Sequence, residues 1–205
     1  MVVEKGNISM LYSARKRFNN LSIKIGIVFS KFHLSPNQWT LLTIIPILIA
    51  LYFLINQAFL IAALFIIIAA FFDLIDGSVA RVIGAVTKKG AYLDTIMDRY
   101  VESIIILGLL FISLPSFLLP IPFWLFLYLF GSMMTTYGKA AAKEKELVKT
   151  ELKGGLMERA ERMIVLVIGI VLASFGTIYL TYVIIILAIL SNLTALHRIF
   201  IALRS

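Results

Sequence analysis

Apolar residues in this chain come in long runs rather than in alternating or single-face patterns. Six runs, at 39–56, 58–76, 91–113, 121–138, 162–176 and 178–197, approach the length of about 18–25 residues with which an apolar helix crosses a bilayer. The turns after the first, third and fifth runs (Asn56-Gln57, Leu114 to Pro122, Ser174 to Thr177) carry no charge. All 19 Lys and Arg residues gather instead at the other connections and the two ends, which a six-span arrangement places on one side of the membrane. Positive-inside bias makes that side cytoplasmic, with both termini on it. Ahead of the first run, Leu11, Phe18, Leu21, Ile25, Val28 and Phe32 recur at helical spacing among Arg15, Lys16, Arg17, Lys24 and Lys31. This predicts an amphipathic helix over 8–34 lying in the cytoplasmic interface, ended by Ser35-Pro36-Asn37. The expected fold is all-α: an integral membrane six-transmembrane-helix bundle with an N-terminal amphipathic juxtamembrane helix, in one domain over 1–205.

Composition excludes a soluble protein. The chain is 61% hydrophobic and 15% charged, against about 45–50% and about 25% for soluble domains, and its mean hydropathy is +1.00. With that hydropathy, a net charge of +8 points to lipid headgroups and anionic substrates, and no nucleic-acid partner is expected. The absence of cysteine excludes disulfides, a thiolate nucleophile and Cys-ligated metal. Glu4, Lys5 and the basic residues after them do not resemble a cleaved signal peptide. His33 and His197 stand alone and read as interfacial residues, Trp39 and Trp124 as interface anchors.

The candidate chemistry lies where the second run ends and the third begins. Asp73 and Asp76, three apart, and Asp94 and Asp98, four apart, each present two carboxylates on one helix face. About a dozen residues separate the two helices, so the acidic faces can meet as antiparallel neighbours. Each acid alone would be explained by pairing with Arg81, Lys88, Lys89 or Arg99. Four together are not, because ionisable groups at membrane depth are costly and mark a site with a defined role. An oxygen-only ligand set favours a hard cation, Mg²⁺ or Mn²⁺, over zinc, and a pair of such ions can organise a pyrophosphate. Gly77 and Ala80 remove bulk beside the carboxylates, and Arg81 is placed to neutralise phosphate oxygens.

The run Asp73-x2-Asp76-Gly77-x2-Ala80-Arg81-x8-Gly90-x3-Asp94-x3-Asp98 resembles the signature of the CDP-alcohol phosphotransferase (CDP-alcohol phosphatidyltransferase) family at every fixed position. The resemblance implies a homodimeric membrane enzyme that displaces CMP from a CDP-alcohol, commonly a CDP-linked lipid donor, with an acceptor hydroxyl. By position, Asp73 and Asp94 would bridge two Mg²⁺ ions, Asp76 would hold one and Asp98 the other, and Asp98 would also be the catalytic base. Gly77, Ala80, Arg81 and Thr87 would face the CDP group, joined by Asn37 and Thr40, although Asn37 could equally cap a helix and Thr40 be an ordinary span residue.

The signature leaves the acceptor open. Lys139, Arg159 and Arg198, at the charged ends of the fourth, fifth and sixth runs, suit an acceptor carrying its own phosphate. Gly155-x2-Glu158-Arg159-Ala160-Glu161-Arg162 and Tyr137-x-Lys139-Ala140 resemble stretches of phosphatidylinositol-phosphate and archaetidylinositol-phosphate synthases. That resemblance implies inositol phosphate as the acceptor, bound by Lys139, Arg159 and Arg198, with glycerol phosphate the alternative phosphorylated polyol. Lys143, Lys145, Lys149 and Lys153 read as solvated or headgroup-facing. An aspartate-rich prenyltransferase would separate its acidic pairs by far more chain. A small ion transporter would carry polar residues deeper in several helices.

Overall fold

The computed structural model describes residues 20–148 and 156–204, all helix, turn and loop apart from one isolated bridge between Phe117 and Leu119. The helices are α1 (Asn20–Ser30), α2 (Pro36–Leu42), α3 (Ile44–Ile55), α4 (Phe59–Val82), α5 (Lys88–Leu110), α6 (Ile121–Glu144), α7 (Arg159–Leu172) and α8 (Thr177–Arg204). Each expected run therefore has helix. Among the described residues, three stretches are long and apolar enough to cross a membrane: Pro36–Ile55, Phe59–Val82 and Thr177–Arg204. A helix runs from Asn20 to Ser30 within the stretch expected to be interfacial, and the part of that stretch before residue 20 lies outside the described residues.

Local chemistry sets the helix ends. Ser35 caps α2 in a capping box with Gln38, and Pro36 occupies the first turn, where its missing N–H costs nothing. The first run is not one regular helix. Pro46 cannot donate to the carbonyl four residues back, that of Leu42, and the helix is interrupted at Thr43 between α2 and α3. At the end of α3 the N–H groups of Gln57 and Ala58 donate to Leu54 and Phe53 O, with Gln57 at φ 57°. The end of α6 repeats this arrangement, with Glu146 in the left-handed position.

The residues divide into two compact units, with the divisions falling inside α3, α4 and α5. In the unit of residues up to Pro46 and Ile68–Asp98, Trp39, Ile75 and Val79 form a buried cluster joined by Ile25, Phe29, Leu34, Leu42 and Phe72. Trp39 meets Phe29 and Phe72 edge to face, at 5.4 and 5.7 Å. The side of α1 that packs on the protein is not the apolar stripe expected to face the lipid interface. Leu21, Val28 and Phe32 remain exposed, while Ser22 and Gly26, one turn apart, are buried. A Cβ on Gly26 would lie 2.5 Å from the carbonyl oxygen of Ser78, so the missing side chain lets α1 lie directly on the backbone of α4.

In the unit of Ile47–Ile67 and Arg99–Ser205, α6, α7 and α8 pack through small residues. A Cβ on Gly131 would meet Ser191 and Asn192, and one on Gly169 would meet Val183. Close backbone approach at small residues is how apolar helices associate where burial against lipid gives little drive. The exterior agrees: Leu64, Phe126 and Leu196 are each more than half exposed.

The same unit encloses a charged network. Glu102 and Arg162 are 1% and 2% exposed. The Ser132 hydroxyl donates to Glu102 Oε2 at 2.6 Å and accepts from Arg99 Nη1 at 2.9 Å and Arg162 Nη2 at 3.1 Å. One proton and two lone pairs are thereby all used. Arg99 also pairs with Glu102 at 2.9 Å, and Arg162 Nε lies 3.8 Å from Glu102 Oε1. Glu102→Ala takes the counter-charge of the buried Arg162 and the partly buried Arg99, a loss of about 3–5 kcal/mol. Ser132→Ala retains the ion pair and is expected to cost about 1–3 kcal/mol. Thermal unfolding in detergent should rank the two in that order, and equal losses would remove the ion pair as the network's main element.

Candidate functional site

The loop between α4 and α5 is built to return the chain on itself. Gly84 takes a left-handed φ of 67° just past α4, and Ala85 N–H donates to Ala80 O at 2.9 Å, closing the helix end. The Thr87 hydroxyl then accepts from Gly90 N–H at 3.0 Å and so caps the start of α5. This sharp reversal brings the acidic face of α4 to the acidic face of α5. Oxygens of Asp73, Asp76 and Asp94 all lie within 4.8 Å of one another. Asp98, one turn beyond Asp94 and half-buried, is not part of that triplet.

Oxygens sharing one hard cation are separated by roughly 3–4 Å, given metal–oxygen distances near 2.1 Å. The triplet therefore needs only side-chain rotation to close around a divalent ion, and its all-carboxylate donor set is the chemistry such an ion selects. Asp76 is buried, and the Thr40 hydroxyl, 2.6 Å from its Oδ2, holds it in place. Thr40 Oγ1 is also 3.1 Å from Pro36 O, but its one proton serves the shorter contact to the carboxylate.

Beside the triplet opens a cavity of about 320 Å³ whose walls include Asp76, Asp94, Gly77, Ala80 and Arg81. Asn37, Thr40, Thr87 and Gly90 complete them. Every residue expected from the sequence to face a CDP group thus borders one space. Because Ser35 takes the capping role, Asn37 does not need to, and its Oδ1 would be 3.2 Å from a Cβ on Gly90. Gly77 leaves room on its face of α4 for the Arg81 guanidinium, which lies across it 3.4 Å from where a Cβ would be.

The three cations expected to bind the acceptor lie in the other unit, on α6, α7 and α8. Lys139 and Arg159 are half-buried and Arg198 is 6% exposed. Arg198 Nη1 donates to Thr135 O at 3.1 Å, one turn before Lys139, and its Nη2 lies 3.8 Å from Glu158, next to Arg159. Those contacts tie the three helix segments together. Glu102 and Ser132 were not singled out from the sequence, and Arg162 was counted with the loop cations. The signal was present for Glu102, an acid three residues after Arg99 inside an apolar run.

Two features now define the class: apolar helices of membrane-crossing length, and a carboxylate triplet fit for a divalent ion beside a cavity. The chain belongs to the CDP-alcohol phosphatidyltransferase family, whose family model matches residues 33–203, and it is a transferase enzyme. It is 30% identical over 192 residues to the archaetidylinositol phosphate synthase of Pyrococcus horikoshii, covering 93% of this chain and 95% of that one. It is 32% identical over 152 residues to the phosphatidylinositol phosphate synthase of Corynebacterium glutamicum, covering 73% and 68%. Among solved structures it resembles the phosphatidylinositol phosphate synthase of Mycobacterium tuberculosis with CDP-DAG bound, at a TM-score of 0.78 and 26% identity. That match covers 89% of this chain and 94% of the other. A second structure of that enzyme, in complex with manganese and citrate, matches with the same TM-score.

Thr87 has a structural duty whatever else it contacts. Thr87→Ala is expected to lower stability by about 1 kcal/mol through loss of the cap, whereas Thr87→Ser should keep it. Thermal unfolding of the two variants checks this, and equal stability would show that the cap contributes nothing.

Proposed function

We propose that the protein transfers a phosphatidyl-type group from a CDP-linked lipid to a hydroxyl of a phosphorylated polyol, inositol phosphate, releasing CMP. The observation that carries this reading is the Asp73, Asp76 and Asp94 triplet beside a cavity bordered by Gly77, Ala80 and Arg81. Gly77 gives a flat group access to the helix, and Arg81 supplies charge for phosphate oxygens. Asn37, Thr40 and Thr87 border the same space and complete the CDP pocket. The M. tuberculosis relative crystallised with CDP-DAG supports a CDP-linked lipid as donor.

Mg²⁺, or Mn²⁺ in its place, held as two ions by Asp73, Asp76, Asp94 and Asp98, would supply positive charge to the pyrophosphate. The manganese complex of the M. tuberculosis relative supports the use of a divalent ion. Asp98 is the base: it takes the acceptor's hydroxyl proton as the new oxygen–phosphorus bond forms and the bond to CMP breaks. Lys139, Arg159 and Arg198 bind the acceptor's phosphate. The inositol phosphate products named for the P. horikoshii and C. glutamicum relatives support that choice over glycerol phosphate.

The proposal includes a multi-pass protein of the cell membrane in one domain, working as the homodimer that the family resemblance implies. Helices at all six apolar runs and the clustering of Lys and Arg support six spans with the site and both termini facing the cytoplasm. α1, with Leu21, Val28 and Phe32 exposed beside Lys24 and Lys31, suits the lipid interface.

Purified enzyme given a CDP-linked lipid and Mg²⁺ should release CMP with inositol phosphate. Use of glycerol phosphate alone would overturn the acceptor, and no CMP with either polyol would overturn the reaction. Asp98→Asn should lower kcat by roughly 10²–10⁴-fold. Arg159→Ala should raise acceptor KM more than donor KM, and equal effects would remove Arg159 from the acceptor pocket.

A further inference from the structure

Arg81 borders the cavity beside the aspartates, but the contacts that orient it come from the opposite side. Its Nη2 donates to Ser22 Oγ on α1 at 2.7 Å. Ser22 Oγ is 2.8 Å from Ser78 Oγ, and Ser78 Oγ donates to Leu74 O at 2.7 Å. Each hydroxyl has one proton, so the direction of the chain is fixed. Ser78 commits its proton to Leu74 O, Ser22 must donate to Ser78, and the lone pairs of Ser22 receive Arg81. Only a 3.4 Å contact joins Arg81 Nη2 directly to Ser78, too long to hold the guanidinium without Ser22.

The surroundings give this chain leverage. Ser22 is 4% exposed and Ser78 is fully buried, so water does not compete for the bond between them, although Arg81 itself is exposed. Gly26, one turn after Ser22, presses the backbone of α1 onto Ser78 O and Val82, which fixes the height of α1 along α4. The guanidinium is consequently held at Nη2, while Nη1 lies against the bare face of Gly77. A second cavity, of about 440 Å³ and bordered by Ser22, Ile23, Ile27, Arg81 and Val82, lies on the α1 side. Without Ser22 the Arg81 side chain has room to turn into it.

We propose that Ser22 is a positioning residue of the donor site: it holds Arg81 aimed at the pyrophosphate of the CDP-linked donor, making the N-terminal helix part of that site. The proposal rests on the donor role of Arg81 given above.

Steady-state kinetics of the full-length enzyme test it, with donor and acceptor varied separately. Ser22→Ala should raise donor KM about 5–10-fold, the size expected for losing one ordinary hydrogen bond, with acceptor KM moving less than twofold. Ser22→Thr, which keeps the hydroxyl, should restore most of the donor affinity. In an Arg81→Ala background, Ser22→Ala should add nothing further to donor KM. A full additional increase there, or a fall in thermal stability with unchanged donor KM, would make Ser22 a packing residue and overturn the proposal. Arg81→Ala with a normal donor KM would overturn the role of Arg81 and the proposal with it. A raised KM for Arg81→Ala beside a normal one for Ser22→Ala would overturn the proposal alone. Should Ser22→Ala not fold, Ser78→Ala removes the acceptor of the Ser22 proton and should raise donor KM by a smaller factor. No change in that variant would also overturn it.

Discussion

Carboxylates brought together at the end of an apolar helix repel one another and lose hydration, and the first unit is organised around tolerating this at Asp73, Asp76 and Asp94. The left-handed Gly84 and the Thr87 cap turn the chain within a few residues, since a longer loop would not hold the two acidic faces in register. The capping box of Ser35 starts α2 so that Thr40, one turn later, delivers a hydroxyl to Asp76. The Trp39 cluster fixes α2 against α4, so a core of apolar rings positions that polar contact. Packing, capping and charge are thus successive parts of one arrangement.

The motif residues were the most legible part of the site. Spacing of three and four residues on helices dictates a shared face, and the structure brings Asp73, Asp76 and Asp94 together and sets Gly77, Arg81, Asn37 and Thr40 around one cavity. Helix existence was equally legible, because long apolar runs leave the backbone no other way to satisfy its hydrogen bonds. What the runs did not show was local. The interruption at Thr43 follows from a single proline, and hydropathy averages over it. Three of the six runs fall short of the length and apolar character of a membrane-crossing helix. Arg99 and Glu102 in α5 and the 14 residues of α7 show why, since charge and brevity both weaken that signal.

Side-chain partnerships between distant segments were not legible at all. Ser22 in the sequence is one polar residue in an apolar stretch, and nothing in its neighbours marks it as a partner for Arg81, 59 residues away. The apolar stripe of α1 pointed to the lipid interface and left its protein-facing side undefined, because hydropathy gives glycine and serine no special weight. Yet Gly26 decides the matter by allowing backbone contact. Arg162 illustrates the same limit in reverse. Counted by charge it belongs with the loop cations, but Glu102 and Ser132 draw it inside.

The two buried acids with resolved partners differ in a way that bears on function. Glu102 meets two guanidinium groups and a hydroxyl, so its charge is neutralised within the protein and its duty ends in holding helices together. Asp76 is held instead by the neutral hydroxyl of Thr40, which orients the carboxylate without cancelling its charge. Two further carboxylates within 4.8 Å add to that negative potential. Asp76 and Asp94 also border a cavity, and in the proposed function a divalent cation held there would lower the electrostatic cost of gathering the carboxylates. Identical side-chain chemistry thus serves a structural end at Glu102 and, in the proposed function, a metal-holding one at Asp76.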